Sequence, residues 1–250
     1  MPNIRNALYE GFDTFGFGAV DGTFPFLLRV HQLLPDGGVL LDYGAGRGAQ
    51  AEEADGIKKF LLDFRNRAGR VIGVDVDPVV LENPFVHERF QILQNGEIPL
   101  EANTVDVAML DWVCEHLPDP GKTFAEIFRV LKPGGWIALR TPNRWHYSMV
   151  ASRLIPDSLH ARVLARVQER RAERDVFPKH YRANTPRALR RLLSDAGFES
   201  PLIMSHEPEP VYLQFSSASF ALGAVYQKLA QLVPTHAGRL VLMAFARKTR

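Results

Sequence analysis

The segment DYGAGRG, from Asp42 to Gly48, is the most informative part of this chain about its fold. It continues the apolar run VLLDY at Val39–Tyr43, which is typical of a buried strand, and it opens a segment with helical patterning. Glycines at such a turn let the backbone bend sharply and approach a ligand, and the amides at a helix start favour a polar or anionic group. The stretch therefore predicts a ligand-binding turn between a strand and a helix.

Further apolar runs follow along the chain and alternate with helical patterns. Runs that fit buried strands lie at Val39–Tyr43, Val71–Val76, Phe90–Leu93, Val105–Leu110, Trp136–Thr141, Leu202–Met204 and Leu240–Lys248. Helical patterns lie at about 50–67, 121–130, 157–174 and 185–197. This alternation indicates an α/β fold with a Rossmann-like, doubly wound and mostly parallel sheet of seven strands.

The organisation predicted for the chain is a single domain over residues 1–250. An N-terminal cap rich in aromatic residues covers residues 1–36, and the ligand-binding core covers 37–143. A helical lid insertion rich in arginine covers 144–182. The C-terminal part of the sheet covers 183–250 and contains an apolar insertion at 211–233.

Composition excludes several classes of protein. The only cysteine is Cys114, so an internal disulfide framework and a zinc site of several thiolates are excluded, and no metal site is expected. We expect a reducing, cytoplasmic location, because the N-terminal residues lack a basic start followed by an apolar run. Residues 211–233 contain too many polar side chains for a membrane span, although contact with a membrane surface stays open.

The glycine turn alone leaves two interpretations open. Gly44, Gly46 and Ala49 satisfy the G-x-G-x-x-[GA] pattern of dinucleotide-binding domains, so an NAD(P)-dependent oxidoreductase is an alternative. Asp42 before the glycines and Gly48 after them do not fit that pattern. The second strand ends at Asp75, whose carboxylate suits ribose hydroxyls in both classes. The neighbouring motifs must therefore decide between the two classes.

Four segments in order resemble the class I S-adenosylmethionine-dependent methyltransferases, in particular the small-molecule, type 11-like branch. They are DYGAGRG at 42–48, GVDVDP at 73–78, NGEIPLEANTVDVAMLDWVCEHLPDP at 95–120 and RVLKPGGWIALRTPN at 129–143. The resemblance implies a seven-stranded sheet whose last strand is antiparallel. It also implies the cofactor S-adenosyl-L-methionine and methyl transfer to a small-molecule acceptor.

The resemblance also assigns residues to the cofactor. Asp42, Gly44, Ala45 and Gly46 would lie along its methionine portion, and Asp75 would hold the ribose hydroxyls. At the adenine and the methyl group, the positions implied are Val76, Asn95, Gly96, Asp111 and Trp112. Asn95 departs from the family pattern, because the usual carboxylate at that position is missing. That departure supports a third hypothesis, a catalytically degenerate methyltransferase fold that acts as a binding module.

Candidate catalytic residues follow from the needs of the reaction. A sulfonium methyl is already activated, so the enzyme mainly aligns the acceptor with the methyl, and a base helps only when the acceptor is a hydroxyl. The candidate acceptor contacts are His116 in VCEHLPDP, His146 and Tyr147 in TPNRWHY, and His180 and Tyr181 in FPKHYRANT. Their alternative role is local hydrogen bonding of the insertion to the core.

Charge gives limited information about partners. The net charge is +2, but residues 153–191 contain eleven Lys and Arg against four acids. A nucleic-acid surface is not favoured, because this segment lacks aromatic residues interleaved along its helix. An anionic or partly apolar small molecule is the expected acceptor, and the sequence does not address the oligomeric state.

Overall fold

A computed structural model describes residues 2–9, 14, 17–18, 20–93, 95–154, 178–236 and 238–249. The chain divides into two compact units. The sheet unit comprises Thr23–Thr141, Lys179–Met204 and Met243–Arg250, and the second unit comprises Met1–Gly22, Pro142–Pro178 and Ser205–Leu242. The helix predicted at 157–174 lies outside the described residues. The single-domain organisation, with its cap and lid, stays a prediction.

Seven strands form one sheet, as the sequence predicts. They are β1 (Val39–Tyr43), β2 (Arg70–Asp75), β3 (Glu88–Gln91), β4 (Val105–Asp111), β5 (Leu131–Pro142), β6 (Glu199–His206) and β7 (Val241–Arg247). Their order is β3-β2-β1-β4-β5-β7-β6, and the pairs among β1 to β5 are parallel. The α/β, Rossmann-like fold class is thereby confirmed.

The chain direction reverses in β7. Gly134 N, near the start of β5, donates to Lys248 O just after β7, while Asn143 N, just after β5, donates to Leu240 O just before β7. Matching the start of one strand with the end of the other makes β7 antiparallel to β5. The antiparallel last strand that the resemblance implied is therefore present.

The strand order creates a switch point beside β1. The chain moves outward from β1 to β2 and β3, and then returns to the opposite side of β1 as β4. In such sheets ligands bind at the carboxyl ends of the strands where the order reverses. The loops after β1, β2 and β4 are therefore the first place to look for a site.

Helices and 3-10 turns lie between the strands along the chain. In the sheet unit they are α2 (Thr23–Leu33), α3 (Ala49–Glu52), α4 (Gly56–Leu62), α5 (Pro120–Val130) and α7 (Pro186–Asp195), with 3-10 turns at Phe64–Asn66 and Pro78–Glu82. Asp119 and Thr185 are the N-cap residues of α5 and α7, since each side chain accepts a hydrogen bond from a backbone amide of the first turn. Two of the predicted helices, near 121–130 and 185–197, are thereby confirmed.

The continuous helix predicted at 50–67 is wrong. The segment is divided into α3, α4 and the turn at Phe64–Asn66. Asp55 is extended, with φ −120° and ψ 164°, and Gly56 has φ +54°, so the backbone leaves the right-handed helical region there. The hydrophobic periodicity of the sequence continues across Asp55 and Gly56, although an Asp-Gly pair favours a turn at this point.

The second unit contains α1 (Pro2–Leu8), α6 (Tyr147–Leu154), a 3-10 turn at Val211–Leu213 and α8 (Ser217–Leu232). The Tyr9 ring packs edge-on against Phe220 of α8 at 5.9 Å. The opposite face of α8 exposes apolar side chains at Leu222, Val225, Leu229 and Leu232. Within the described residues, every helix is too short or too polar to span a lipid bilayer.

Candidate functional site

Three acidic residues meet at the carboxyl edge of the sheet. Asp75 and Asp111 are the last residues of β2 and β4, and Asp42 is the next-to-last residue of β1. In the register of the sheet, Asp42 lies beside Gly73 of β2 and Met109 of β4, two residues before those ends. Residues that the sequence placed in three separate motifs are therefore neighbours in the sheet unit, at its switch point.

The glycines of the turn serve different purposes. A Cβ at Gly44 would lie 2.4 Å from Val113 Cγ2, and one at Gly48 would lie 2.6 Å from Asn83 Oδ1. A Cβ at Gly46 would meet only Asp75 Oδ2, at 4.0 Å. Gly44 and Gly48 are thus required by the packing of the protein itself, whereas the surroundings of Gly46 are open apart from Asp75. Gly46 is the position where a ligand has room to approach.

The amides of this turn are bound to β2 and its last residue. Gly44 N and Ala45 N donate to Val74 O at 2.7 and 3.2 Å, and Gly46 N donates to Asp75 Oδ2 at 2.9 Å. These bonds hold the turn against the strand that carries Asp75. The contacts of Gly44, Ala45 and Gly46 with the methionine portion stay predictions.

Asp75 is oriented by backbone amides. Its Oδ1 accepts Asp77 N at 3.0 Å and its Oδ2 accepts Gly46 N at 2.9 Å. Each carboxylate oxygen has two lone pairs, so each keeps capacity for a further donor such as a hydroxyl. Burial raises the pKa of Asp75, and the two amide bonds act in the opposite direction. This geometry is compatible with the predicted ribose contact.

Asp42 has a strongly raised pKa. Burial, followed by the charges of Asp111 and Asp75, raises its pKa to about 7. Within the described part of the chain, no hydrogen bond reaches the Asp42 carboxyl group. A buried carboxyl group without a cationic partner among the described residues favours a positively charged ligand, because that charge would stabilise its ionised form.

Asp111 is neutralised within the protein. Its two oxygens accept Arg140 Nε and Nη2, both at 2.6 Å, and the two side chains are only 8% and 3% exposed. The Arg140 guanidinium lies 5.2 Å from the Phe26 ring centroid and 5.3 Å from that of Trp112. Trp112 has φ +59°, a strained value for a bulky residue, and its amide donates to Arg140 O. The pair and the two rings fix the end of β4.

The positions assigned to adenine lie on exposed loops of the sheet unit. Val76 follows β2 and is 61% exposed, which leaves an apolar surface available. Asn95 Oδ1 accepts Glu97 N at 3.0 Å, so this oxygen stabilises its own turn. Gly96 has φ +79° and packs near Lys122. The adenine contacts of these residues stay predictions.

A second group of polar residues surrounds the segment after β4. Glu115 is almost fully buried; Thr141 Oγ1 donates to its Oε2 at 3.1 Å, and burial raises its pKa to about 7. Its carbonyl oxygen accepts the amides of His180 and Tyr181 at 2.7 and 3.1 Å. His116 Nε2 lies 3.9 Å from Glu115 Oε1. Three of the candidate acceptor residues therefore lie along one segment of the sheet unit.

The other two candidates, His146 and Tyr147, belong to the second unit. His146 is 1% exposed, with Nε2 3.1 Å from Glu207 Oε1 and Nδ1 2.7 Å from Ser148 Oγ. The Tyr147 ring packs edge-on against Tyr226 at 4.9 Å. Both ring nitrogens of His146 are occupied within its unit, so its contacts are those of local structure. An acceptor role for either residue stays a prediction.

Three residues of the site were not singled out from the sequence. Glu115 stands directly before His116 in the motif VCEHL, so the motif did contain it. Arg140 is a single charge inside an apolar strand run, which is itself a signal of a buried partner. Asn83, whose side chain contacts the glycine turn, carries no sequence signal, because its partners are backbone carbonyls 37 and 38 positions away.

Comparison with known proteins agrees with the geometry. A family model described as a methyltransferase domain matches residues 20–200. An uncharacterised 37.1 kDa protein of transposon Tn4556 from Streptomyces fradiae is 32% identical over 66% of this chain and 44% of its own length. A probable S-adenosylmethionine-dependent methyltransferase of Mycolicibacterium smegmatis is 34% identical over 44% of this chain and 40% of its own length. The chain thus spans less than half the length of these curated relatives.

Solved structures share the fold at low sequence identity. Geranyl diphosphate C-methyltransferase from Streptomyces coelicolor, with S-adenosyl-L-homocysteine bound, is 16% identical, with a TM-score of 0.55 over 90% of this chain and 78% of that one. A SAM-dependent methyltransferase from Aquifex aeolicus is 17% identical, with a TM-score of 0.50 over 98% of this chain and 92% of that one. These likenesses concern the fold.

Proposed function

Because this chain belongs to the methyltransferase-domain family, and with it to the class I S-adenosylmethionine-dependent methyltransferases, we propose that it transfers the methyl group of S-adenosylmethionine to a small-molecule acceptor. The observation that carries the proposal is the meeting of Asp42, Asp75 and the open Gly46 at the switch point of the sheet. The NAD(P)-dependent alternative has no support from the family match.

The residues of the edge fit this cofactor. S-adenosylmethionine carries an ammonium and a sulfonium charge, and its ribose presents two neighbouring hydroxyls. Asp42 offers a carboxyl group without a cation among the described residues, and Asp75 offers acceptor capacity on both oxygens. A Cβ at Gly46 would touch only Asp75 Oδ2, at 4.0 Å, so the turn is otherwise open at this position. The donor set and the open space therefore suit a cationic nucleoside.

When bound, the cofactor supplies a methyl group that is already activated on a sulfonium. The protein then needs to bind, orient and desolvate the reactants. Asp75 would hold the ribose of the nucleoside, Gly46 would lie along the methionine portion, and ionised Asp42 would stabilise the positive charge. Arg140 pairs with Asp111, so Asp42 and Asp75 are the acids of this edge without a cationic partner among the described residues.

Glu115, like Asp42, can hold a proton near neutral pH, and it lies beside candidate acceptor contacts. The pKa of its carboxyl group is about 7, Thr141 Oγ1 donates to that group, and His116 Nε2 lies 3.9 Å from it. For a hydroxyl acceptor, Glu115 would take up the proton that the hydroxyl loses. For an acceptor that is already anionic, Glu115 would be dispensable.

Two experiments test the proposal in sequence. Calorimetric titration with S-adenosylhomocysteine and with NAD⁺ should give binding of the first alone. Transfer of the tritiated methyl group of S-adenosylmethionine to phenols, amines, carboxylic acids and prenyl diphosphates is then measured, with bulk tRNA and protein as control acceptors. Binding of NAD⁺ alone would overturn the cofactor assignment. Labelling of tRNA or protein in place of every small molecule would overturn the acceptor class, and cofactor binding without any transfer would favour a binding module.

A further inference from the structure

Gly48 has a structural neighbour that explains why it is a glycine. Its φ is +79°, and a Cβ there would lie 2.6 Å from Asn83 Oδ1 and 2.7 Å from Phe85 Cδ2. No part of a ligand is needed to account for this glycine. The space that it leaves is filled by the side chain of Asn83.

Asn83 makes a full set of contacts in that space. It is 1% exposed, and its Nδ2 donates to Ala45 O at 3.1 Å and to Gly46 O at 3.2 Å. Its Oδ1 accepts Phe85 N at 2.9 Å. The side chain therefore binds two consecutive carbonyl groups of the glycine turn while its own oxygen is held by the following loop.

These contacts fix one peptide group from both ends. The peptide between Ala45 and Gly46 has its carbonyl bound by Asn83 Nδ2 and its amide bound by Asp75 Oδ2. A peptide plane held at both ends cannot rotate without breaking a bond at one of them. The orientation of the turn and the orientation of the Asp75 carboxylate are therefore set together.

We propose that Asn83 is a positioning residue of the cofactor site: it aligns the Ala45–Gly46 peptide, and through it Asp75, for the nucleoside. This inference rests on the proposed function. Asn83 follows the 3-10 turn at Pro78–Glu82, which begins three residues after Asp75. It thus connects the loop after β2 to the loop after β1, the two loops assigned to the ribose and the methionine portion.

A role limited to ending the 3-10 turn makes a different prediction. Asn83 N donates to Val80 O at 3.0 Å, and Asn83 O accepts Arg89 Nε. Both bonds use the backbone and persist whatever side chain stands at this position. A side-chain substitution therefore acts on the glycine turn and the Phe85 loop, and its effect should be seen in cofactor affinity beyond any loss of stability.

The test compares two identical substitutions. Asn83→Asp keeps the size and the acceptor for Phe85 N but places a carboxylate oxygen against the carbonyls of Ala45 and Gly46. Asn66→Asp is the matched control, since exposed Asn66 also donates its Nδ2 to a backbone carbonyl, Asp63 O at 3.2 Å. Affinity for S-adenosylhomocysteine is measured by calorimetry well below the unfolding temperature, which is recorded separately for each variant.

We expect Asn83→Asp to weaken S-adenosylhomocysteine binding by about tenfold or more, and Asn66→Asp to stay within about twofold of the wild type. If Asn83→Asp does not fold, Asn83→Ala replaces it under the same criterion. Unchanged affinity in a folded Asn83 variant, even with a lower unfolding temperature, would overturn the positioning role alone. Absence of binding by the wild-type chain would overturn the proposed function and, with it, this inference.

Discussion

Replacing Asp111 with alanine tests the energetic reasoning about the carboxyl edge of the sheet. Asp111 is the only acid paired with Arg140 among the described residues, through two bonds of 2.6 Å. Both side chains are less than 9% exposed, and the guanidinium lies between two aromatic rings. Asp111→Ala would leave the Arg140 charge buried without a counter-ion.

The expected loss is large because the remaining charge stays desolvated. Breaking a buried ion pair from one side destabilises a protein by about 3–5 kcal/mol. For a chain of this size that corresponds to a fall of roughly 6–20 °C in the unfolding temperature. The matched control is Asp36→Ala, since Asp36 pairs with Arg67 at 2.9 Å but is 91% exposed. That variant should lose at most about 1 kcal/mol.

Urea unfolding followed by circular dichroism measures both variants. The double variant Asp111→Leu with Arg140→Met removes both charges and should recover most of the stability lost in Asp111→Ala, since a buried pair is often no better than apolar side chains of similar volume. Equal losses for Asp111→Ala and Asp36→Ala would contradict this prediction, because burial of the ion pair would then make no difference to stability. So would a double variant as unstable as the single one.

Three further predictions concern the site and the second unit. Asp75→Ala should leave the fold intact and weaken S-adenosylhomocysteine binding about 10–100-fold in calorimetry, because bonds to a charged group are lost; unchanged affinity would contradict the ribose role. The pKa of Asp42 is about 7 in the folded protein, above its usual value of 3.8. The stability that protonated Asp42 gives the apo-protein is therefore fully present below pH 3.8 and is lost as the pH rises through about 7. Asp42→Asn should therefore flatten the decline of stability between about pH 4 and pH 7 in urea titrations, and an unaltered slope would contradict the raised pKa. Glu207 binds His146 and accepts Leu240 N at 2.6 Å, so Glu207→Ala should destabilise the chain by about 2–4 kcal/mol, and a loss below about 1 kcal/mol in denaturant would argue against that network.

Local physics explains why the sequence revealed so much of the sheet. Strands buried on both faces are continuous apolar runs, and β1, β2 and β4 were predicted within one residue of their observed ends. A helix boundary was missed where the break depended on backbone conformation alone. The division between α3 and α4 at Asp55 and Gly56 left the hydrophobic pattern unchanged, so periodicity did not reveal it.

The fold class, the family resemblance and the acids at the strand ends could be read from the sequence, because they follow from short-range patterns in the order of residues. Which of these groups meet was settled by the tertiary structure. It paired Asp111 with Arg140, brought Glu115 to Thr141 and placed His146 and Tyr147 in a different compact unit from His116. It also distinguished the glycines of DYGAGRG: a Cβ at Gly46 would touch only Asp75 Oδ2, whereas the space at Gly48 is filled by Asn83. Such contacts join residues that are distant along the chain. They depend on strand order and side-chain volume, which no short segment of the sequence specifies.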